Sequence, residues 1–105
     1  MNIFDIFIAY VSWGSSGKHR PVLVVEQQKT IMSVFNITTR YESKSEAIRS
    51  KYYKITDWQQ AGLNQPSYVD TNILRDLPKG VWDGKIAMGK LTEKDVKQLL
   101  SFLAE

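Results

Sequence analysis

Five short runs rich in β-branched and aromatic residues, set close together and followed by one amphipathic run, leave this chain few ways to fold. The runs are Ile3–Val11, Val22–Glu26, Thr30–Arg40, Lys51–Ile55 and a fifth within residues 66–78 that ends before Pro78. Each has strand length and is bounded by turn residues. Val22–Glu26 is apolar without alternation up to Glu26, which predicts a strand buried on both faces. Residues 12–18, SWGSSGK, hold two glycines and three serines and read as a loop. YESKSEAIRS can hold one helical turn, with Ser43 and Glu46 as a capping box. TDWQQAGL reads as a short helix capped by Thr56 or Asp57 and stopped by Gly62. KGVWDGKIAMGKL is turn-rich. At the C-terminus Thr92 and Asp95 form a second capping box, and Val96, Leu99, Leu100 and Leu103 fall on one helical face.

Short strands with tight turns predict a mainly β fold, a β-barrel with α elements. The barrel would close on itself to remove its edges, with the terminal helix packing its stripe against it. At 105 residues the chain is one domain, 1–105. Hydrophobic residues at 43% and charged residues at 24% exclude a disordered or collagen-like chain. Cysteine is absent, so no disulfide or thiolate enters the argument, which suits a reducing cytoplasm. The apolar start lacks a basic segment and carries Asp5, unlike a signal peptide. No run reaches the ~18 apolar residues of a membrane span. A formal charge of +3 tilts toward polyanionic partners.

With these segments in view, the chain resembles the PemK/MazF toxins of bacterial toxin–antitoxin systems, in their PemK-like branch. DIFIAYV is similar to the family's opening strand. GKHRPVLVV is similar to its most specific motif, a glycine-containing loop, Arg-Pro and a buried strand. Ile37–Thr39 is similar to a threonine-bearing strand end, ITDWQQAGLNQPSYV to a Trp…Ala-Gly-Leu…Pro-Ser segment, and GKLTEKDVKQLL to the closing turn and helix. The order is kept over nearly the whole chain. Phe4 stands where the family usually has glycine before the opening aspartate, the first loop is shorter than in many members, and Asp70 is the residue nearest the family's late-strand acid.

The resemblance implies an SH3-like barrel of the CcdB/PemK type that forms a homodimer. It implies ribosome-independent cleavage of single-stranded RNA without metal or cofactor, silenced by a cognate antitoxin. Related toxins of this barrel instead inhibit DNA gyrase by binding it, which is the alternative reading. A peptide-binding SH3-like adaptor is a third, disfavoured by the basic charge.

RNA carries its own nucleophile. A protein must align the 2′-OH, stabilise charge on phosphorus and manage two protons. With no cysteine and one histidine, a positioned cation is the main tool here. Pro21 biases Arg20 toward an extended backbone, and Val22 and Val24 anchor the strand behind it. Its planar fork can grip two phosphate oxygens; the bland alternative is a structural ion pair. By resemblance Arg20 is the catalytic arginine and Thr38 the catalytic threonine, whose hydroxyl can orient the phosphate or the 2′-OH. From the residues alone Thr38 is a good strand former, and Thr39 is the register alternative.

His19 can act as a base, but beside Arg20 in an extended backbone it points the other way, which favours a loop contact with RNA or solvent. Trp13, Ser15, Ser16 and Lys18 are candidate RNA contacts, with Trp13 stacking on a base or capping the barrel end. Arg40 and Lys44, with Arg49, Lys51 and Lys54, form a basic stretch that either lines an RNA groove or is a solvated face. Tyr52, Tyr53, Trp58 and Trp82 read as core or dimer contacts.

Overall fold

The structure, a computed structural model of the chain, describes residues 2–13, 15–82 and 86–105, with only the backbone for 11–13, 81 and 82. It contains six strands, β1 (Asp5–Trp13), β2 (Ser16–Gln27), β3 (Ile31–Thr38), β4 (Tyr52–Lys54), β5 (Tyr68–Pro78) and β6 (Gly89–Lys90). Helix α1 spans Glu46–Arg49, a 3-10 turn spans Lys79–Trp82, and α2 spans Glu93–Ala104. All strand pairs are antiparallel, in the order β4-β5-β3-β2-β1-β6.

The fold is therefore mainly β, a curled half-barrel sheet with few short helices. The barrel is not sealed by strand pairing among the described residues: β4 and β6 are its edges. Instead the turn after β4 leans on β6. A side chain at Gly89 would collide with the Ala61 carbonyl, and one at Gly62 would stand 2.5 Å from the Met88 carbonyl oxygen. Bare backbone on both sides lets the two ends of the sheet meet.

Strand alternation divides the interior in two. On one face Ile6, Leu23, Phe35, Ile37, Tyr53 and Val69 pack with Ile55, Ala61, Leu63, Leu91 and Leu99. On the other, Phe7, Ala9, Val22, Val24, Met32 and Val34 form a second cluster, with Leu77 against it. Val22, Leu23 and Val24 are all fully buried, which accounts for the unbroken apolar run. The curl is aided by a bulge in β5. Asn36 pairs with Asp70 and Val34 with Arg75, so two steps along β3 match five along β5.

Several local expectations change. The serine- and glycine-rich stretch is mostly strand: β1 runs to Trp13, which pairs with Ser16 at the start of β2. Arg20 thus lies inside β2, where burial, not secondary structure, changes. Ser16, Lys18 and His19 are exposed, Arg20 and Pro21 half-buried, and Val22–Val24 buried. The cap of α1 is Ser45, whose Oγ accepts from Ile48 N at 3.3 Å, not Ser43.

Residues 56–62 form a turn rather than a helix. Leu63 N donates to Trp58 O and Gly62 N to Gln59 O, with Gly62 at φ +92°. This is a Schellman closure, so glycine stops the turn as its position predicts. In α2 the buried face is Asp95 and Leu99 with half-buried Phe102 and Val96, whereas Leu100 and Leu103 are 51% and 42% exposed. Tyr53 and Trp58 join the first core; the Trp82 side chain lies outside the described residues. No helix among the described residues is long and apolar enough to cross a membrane.

Phe4 is the one non-glycine residue with positive φ among the described residues, at +72°. Its N–H donates to Val24 O at 2.6 Å and its carbonyl accepts from Leu91 N. Its ring packs on the first core, which offsets a conformation that glycine adopts without steric cost.

Asp95 organises this region. Its buried carboxylate accepts from the Tyr53 hydroxyl at 2.5 Å, from Thr56 N and Asp57 N at 2.9 Å each, and from the Thr92 hydroxyl at 3.3 Å. Thr92 Oγ1 accepts from Asp95 N in return. Burial pushes the Asp95 pKa up, but these hydrogen bonds outweigh it and hold the carboxyl below its usual value. The same burial and the same carboxylate push the Tyr53 hydroxyl well above the usual tyrosine range.

Candidate functional site

The β2–β3 ladder runs from Gln27↔Met32 to Val22↔Asn36 and then stops. Both strands continue. Residues 16–21 of β2 pair only with β1, while Ile37 and Thr38 of β3 pair only with β5. Had the ladder gone on two more residues, Arg20 would sit opposite Thr38. The strands part instead, and a cleft of about 590 Å³ opens at the parting. That volume is within the ~300–1,000 Å³ of small-ligand sites.

Arg20 and Thr38 both line this cleft, as do Lys18, His19, Thr39, Arg40 and Lys44. Eighteen residues separate Arg20 from Thr38 in the chain, and the sheet brings them to one opening. Because the opening lies between diverging strands, residues of both parities reach it. His19 and Arg20 alternate along β2 yet share the cleft, contrary to the expectation from a flat strand. Ser15 and Ser16 are exposed at the hairpin tip and are not among the lining residues. The Trp13 side chain lies outside the described residues. Arg49 lies over the Tyr41 ring, 5.4 Å from its centre, and does not line the cleft; nor do Lys51 and Lys54.

Thr38 is locally fixed. Its Oγ1 accepts from Arg40 N at 3.1 Å, which leaves the hydroxyl proton to be directed elsewhere. His19 is set by the hairpin: its ring meets Tyr10 edge-on, 5.2 Å between centres. Tyr10 lies over Gly17, where any side chain would come within 2.6 Å of the phenol oxygen. The glycine of the Gly-Lys-His-Arg motif is thus required by the ring that abuts His19.

Asp70 joins the cleft from β5, opposite Asn36 and Tyr52. Its Oδ1 accepts from both Asn72 N and Asn72 Nδ2 at 2.9 Å. Burial pushes the Tyr52 hydroxyl pKa up; the Asp70 charge adds to the rise and the Arg20 charge opposes it. Arg20, Asp70 and Tyr52 therefore occupy one electrostatic neighbourhood. Four cationic side chains, Lys18, Arg20, Arg40 and Lys44, face a single carboxylate among the lining residues. Such a surface attracts an anion.

Sequence reasoning missed Tyr52 as a cleft residue, and it missed Ile8, Asn64, Gln65, Ser67 and Met88. They converge through sheet order and the Gly62 turn, which no local pattern encodes. Another depression, of about 300 Å³ by the end of α2, is lined by Tyr53, Phe102 and polar helix residues, with one cation, Lys97, and one acid, Glu105. Comparison with protein-family models, curated proteins and solved structures found no match to this chain.

Proposed function

We propose that the protein is an endoribonuclease toxin of the PemK/MazF type, built on an SH3-like barrel, that cuts single-stranded RNA in the cleft between β2 and β3. The observation that carries this reading is the convergence of Arg20 and Thr38 on one cationic opening. The positive φ of Phe4, at the place where the resembling family has glycine, supports the alignment on which the resemblance rests.

In this reading the RNA 2′-OH attacks the adjacent phosphorus. The O–P bond forms as the bond to the 5′-oxygen breaks; Arg20 eases the departure of that oxygen, which takes its proton from solvent, leaving a cyclic phosphate and a 5′-OH. Arg20 holds two non-bridging oxygens and offsets the added charge. Thr38, oriented by Arg40 N–H, donates to the phosphate or positions the 2′-OH. Asp70 is the carboxylate at hand to draw off the 2′-OH proton. Lys18, Arg40 and Lys44 hold flanking phosphates. A cognate antitoxin and a second copy of the chain are the expected partners, and the expected setting is cytoplasmic.

The test is incubation of purified protein with a long single-stranded RNA in EDTA, followed by mapping of the ends. Discrete cuts ending in cyclic phosphate are expected, lost in Arg20→Ala and weakened in Thr38→Ala. Intact RNA overturns the reading, and intact RNA with blocked gyrase supercoiling would favour a binding toxin of the same barrel.

A further inference from the structure

The residues that line the cleft fall into two groups of opposite chemistry. One carries the cations and Thr38. The other is apolar: Ile8, Pro21, Leu63 and Met88, continued by Asn64 and Gln65. These residues are neighbours in space. Ile8 pairs with Pro21, Met88 N donates to Ile6 O, and Gly62 lies against the Met88 carbonyl just before Leu63.

Two residues of this apolar side, Ile8 and Met88, are out of place as packing, whereas Leu63 belongs to the first core. Ile8 and Met88 are 42% and 39% exposed, while Ile6, Phe7 and Ala9 on the same strand are at 2% or less. A phosphate gains nothing from such a wall. A nucleobase matches it, having an apolar face and polar edges. Asn64 and Gln65 are exposed beside it, and neither side-chain amide has a hydrogen-bond partner among the described residues. Each offers one acceptor and two donors, the pattern that reads a base edge.

The turn that carries them is held at both ends. Upstream, the Asp95 carboxylate takes Thr56 N and Asp57 N, and the Schellman bonds close at Gly62. Downstream, Ser67 Oγ donates to Gln65 O and Ser67 O accepts from Ile55 N. Readers mounted on a fixed backbone lose little freedom on binding.

We infer that the Ile8–Pro21–Leu63–Met88 side of the cleft receives an unstacked base of the RNA and that Asn64 and Gln65 select it; this rests on the proposed RNA-binding role of the cleft. The bidentate match of an amide is to adenine, so oligo(A) is the informative probe, with oligo(C) as its contrast.

The experiment measures binding of 2′-O-methyl oligo(A) and oligo(C), which lack the attacking hydroxyl and so report binding apart from cutting. The wild-type protein is expected to prefer oligo(A) by at least about fivefold. In the double variant Asn64→Ala, Gln65→Ala the ratio falls to near one, with the salt dependence of binding unchanged. Ile8→Ser, on the same apolar side, weakens oligo(A) binding without altering that salt dependence. A wild-type protein that does not discriminate, or a preference that survives the double variant, overturns the inference. Because the probes cannot be cut, selection through residues 64 and 65 stands or falls separately from cleavage. Cleavage with unselective binding sinks only this inference, and selective binding without cleavage sinks only the nuclease reading.

Discussion

Asp95→Asn changes one oxygen to an NH2 group and is expected to cost far more than its size suggests. The carboxylate takes four donors while fully buried. Two have somewhere else to go. The Tyr53 hydroxyl lies 3.0 Å from Gln98 Oε1, and the Thr92 hydroxyl 3.1 Å from Asp57 Oδ2. Thr56 N and Asp57 N have no such alternative partner in the structure's side-chain bonds, and an amide keeps one acceptor for the two of them. One N–H is orphaned, at about 1–3 kcal/mol, and the other loses a charged acceptor, at a further ~1–2 kcal/mol. The total is about 2–5 kcal/mol, a large part of the ~5–15 kcal/mol that holds a typical domain. A melting temperature at least about 8 °C lower follows.

Urea denaturation followed by tryptophan fluorescence measures this, with Trp58 reporting on the affected turn. The pH dependence adds a second signature. The Asp95 pKa is lowered on folding, so its stabilisation is complete above its unfolded value of about 3.9. It is lost as the pH falls through the lower folded value. The variant loses that part of the acid limb. A loss under about 1 kcal/mol, within the range of an ordinary substitution, with an unchanged acid limb, would refute the reasoning.

Other expectations can be checked in the same way. Gly89→Ala meets the Ala61 carbonyl backbone and is expected to destabilise by about 1–3 kcal/mol, as overpacking does, in the same denaturation assay. Leu99→Ala removes a fully buried side chain and costs about 2–5 kcal/mol. Leu100→Lys, at a half-exposed position, shifts stability by no more than about 0.5 kcal/mol in the isolated chain. Lys44→Ala lowers the slope of log affinity for single-stranded RNA against log salt by about 0.7 if it neutralises one phosphate; an unchanged slope removes Lys44 from the RNA path.

Much of the fold could be read from local patterns because those patterns are enforced locally. The apolar run at Val22–Val24 is buried on both faces, the glycine at 62 closes its turn, and Thr92 caps α2. The errors arose where distant contacts decide. Residues 12–18 have loop composition, yet Gly17 serves the packing of the Tyr10 ring within a hairpin. Leu100 and Leu103 have core composition, but α2 turns Asp95 inward because residues 53, 56 and 57 present donors to it. Half of the expected capping box is formed, and its acid serves another segment. Arg20 and Thr38 could be chosen by residue type and resemblance. That they share an opening, and that residues 62–65 wall it, depends on where the β2–β3 ladder ends.

That ending has a consequence for substitution. Below Val22 and Asn36 the strands are zipped around buried interiors; above them Lys18 and His19 are exposed at the cleft, while Ile37 still belongs to the core. Rim positions such as Lys18, Asn64 and Gln65 can be exchanged without disturbing what keeps the chain folded. Substitutions there would change the surface of the cleft while the scaffold stays the same.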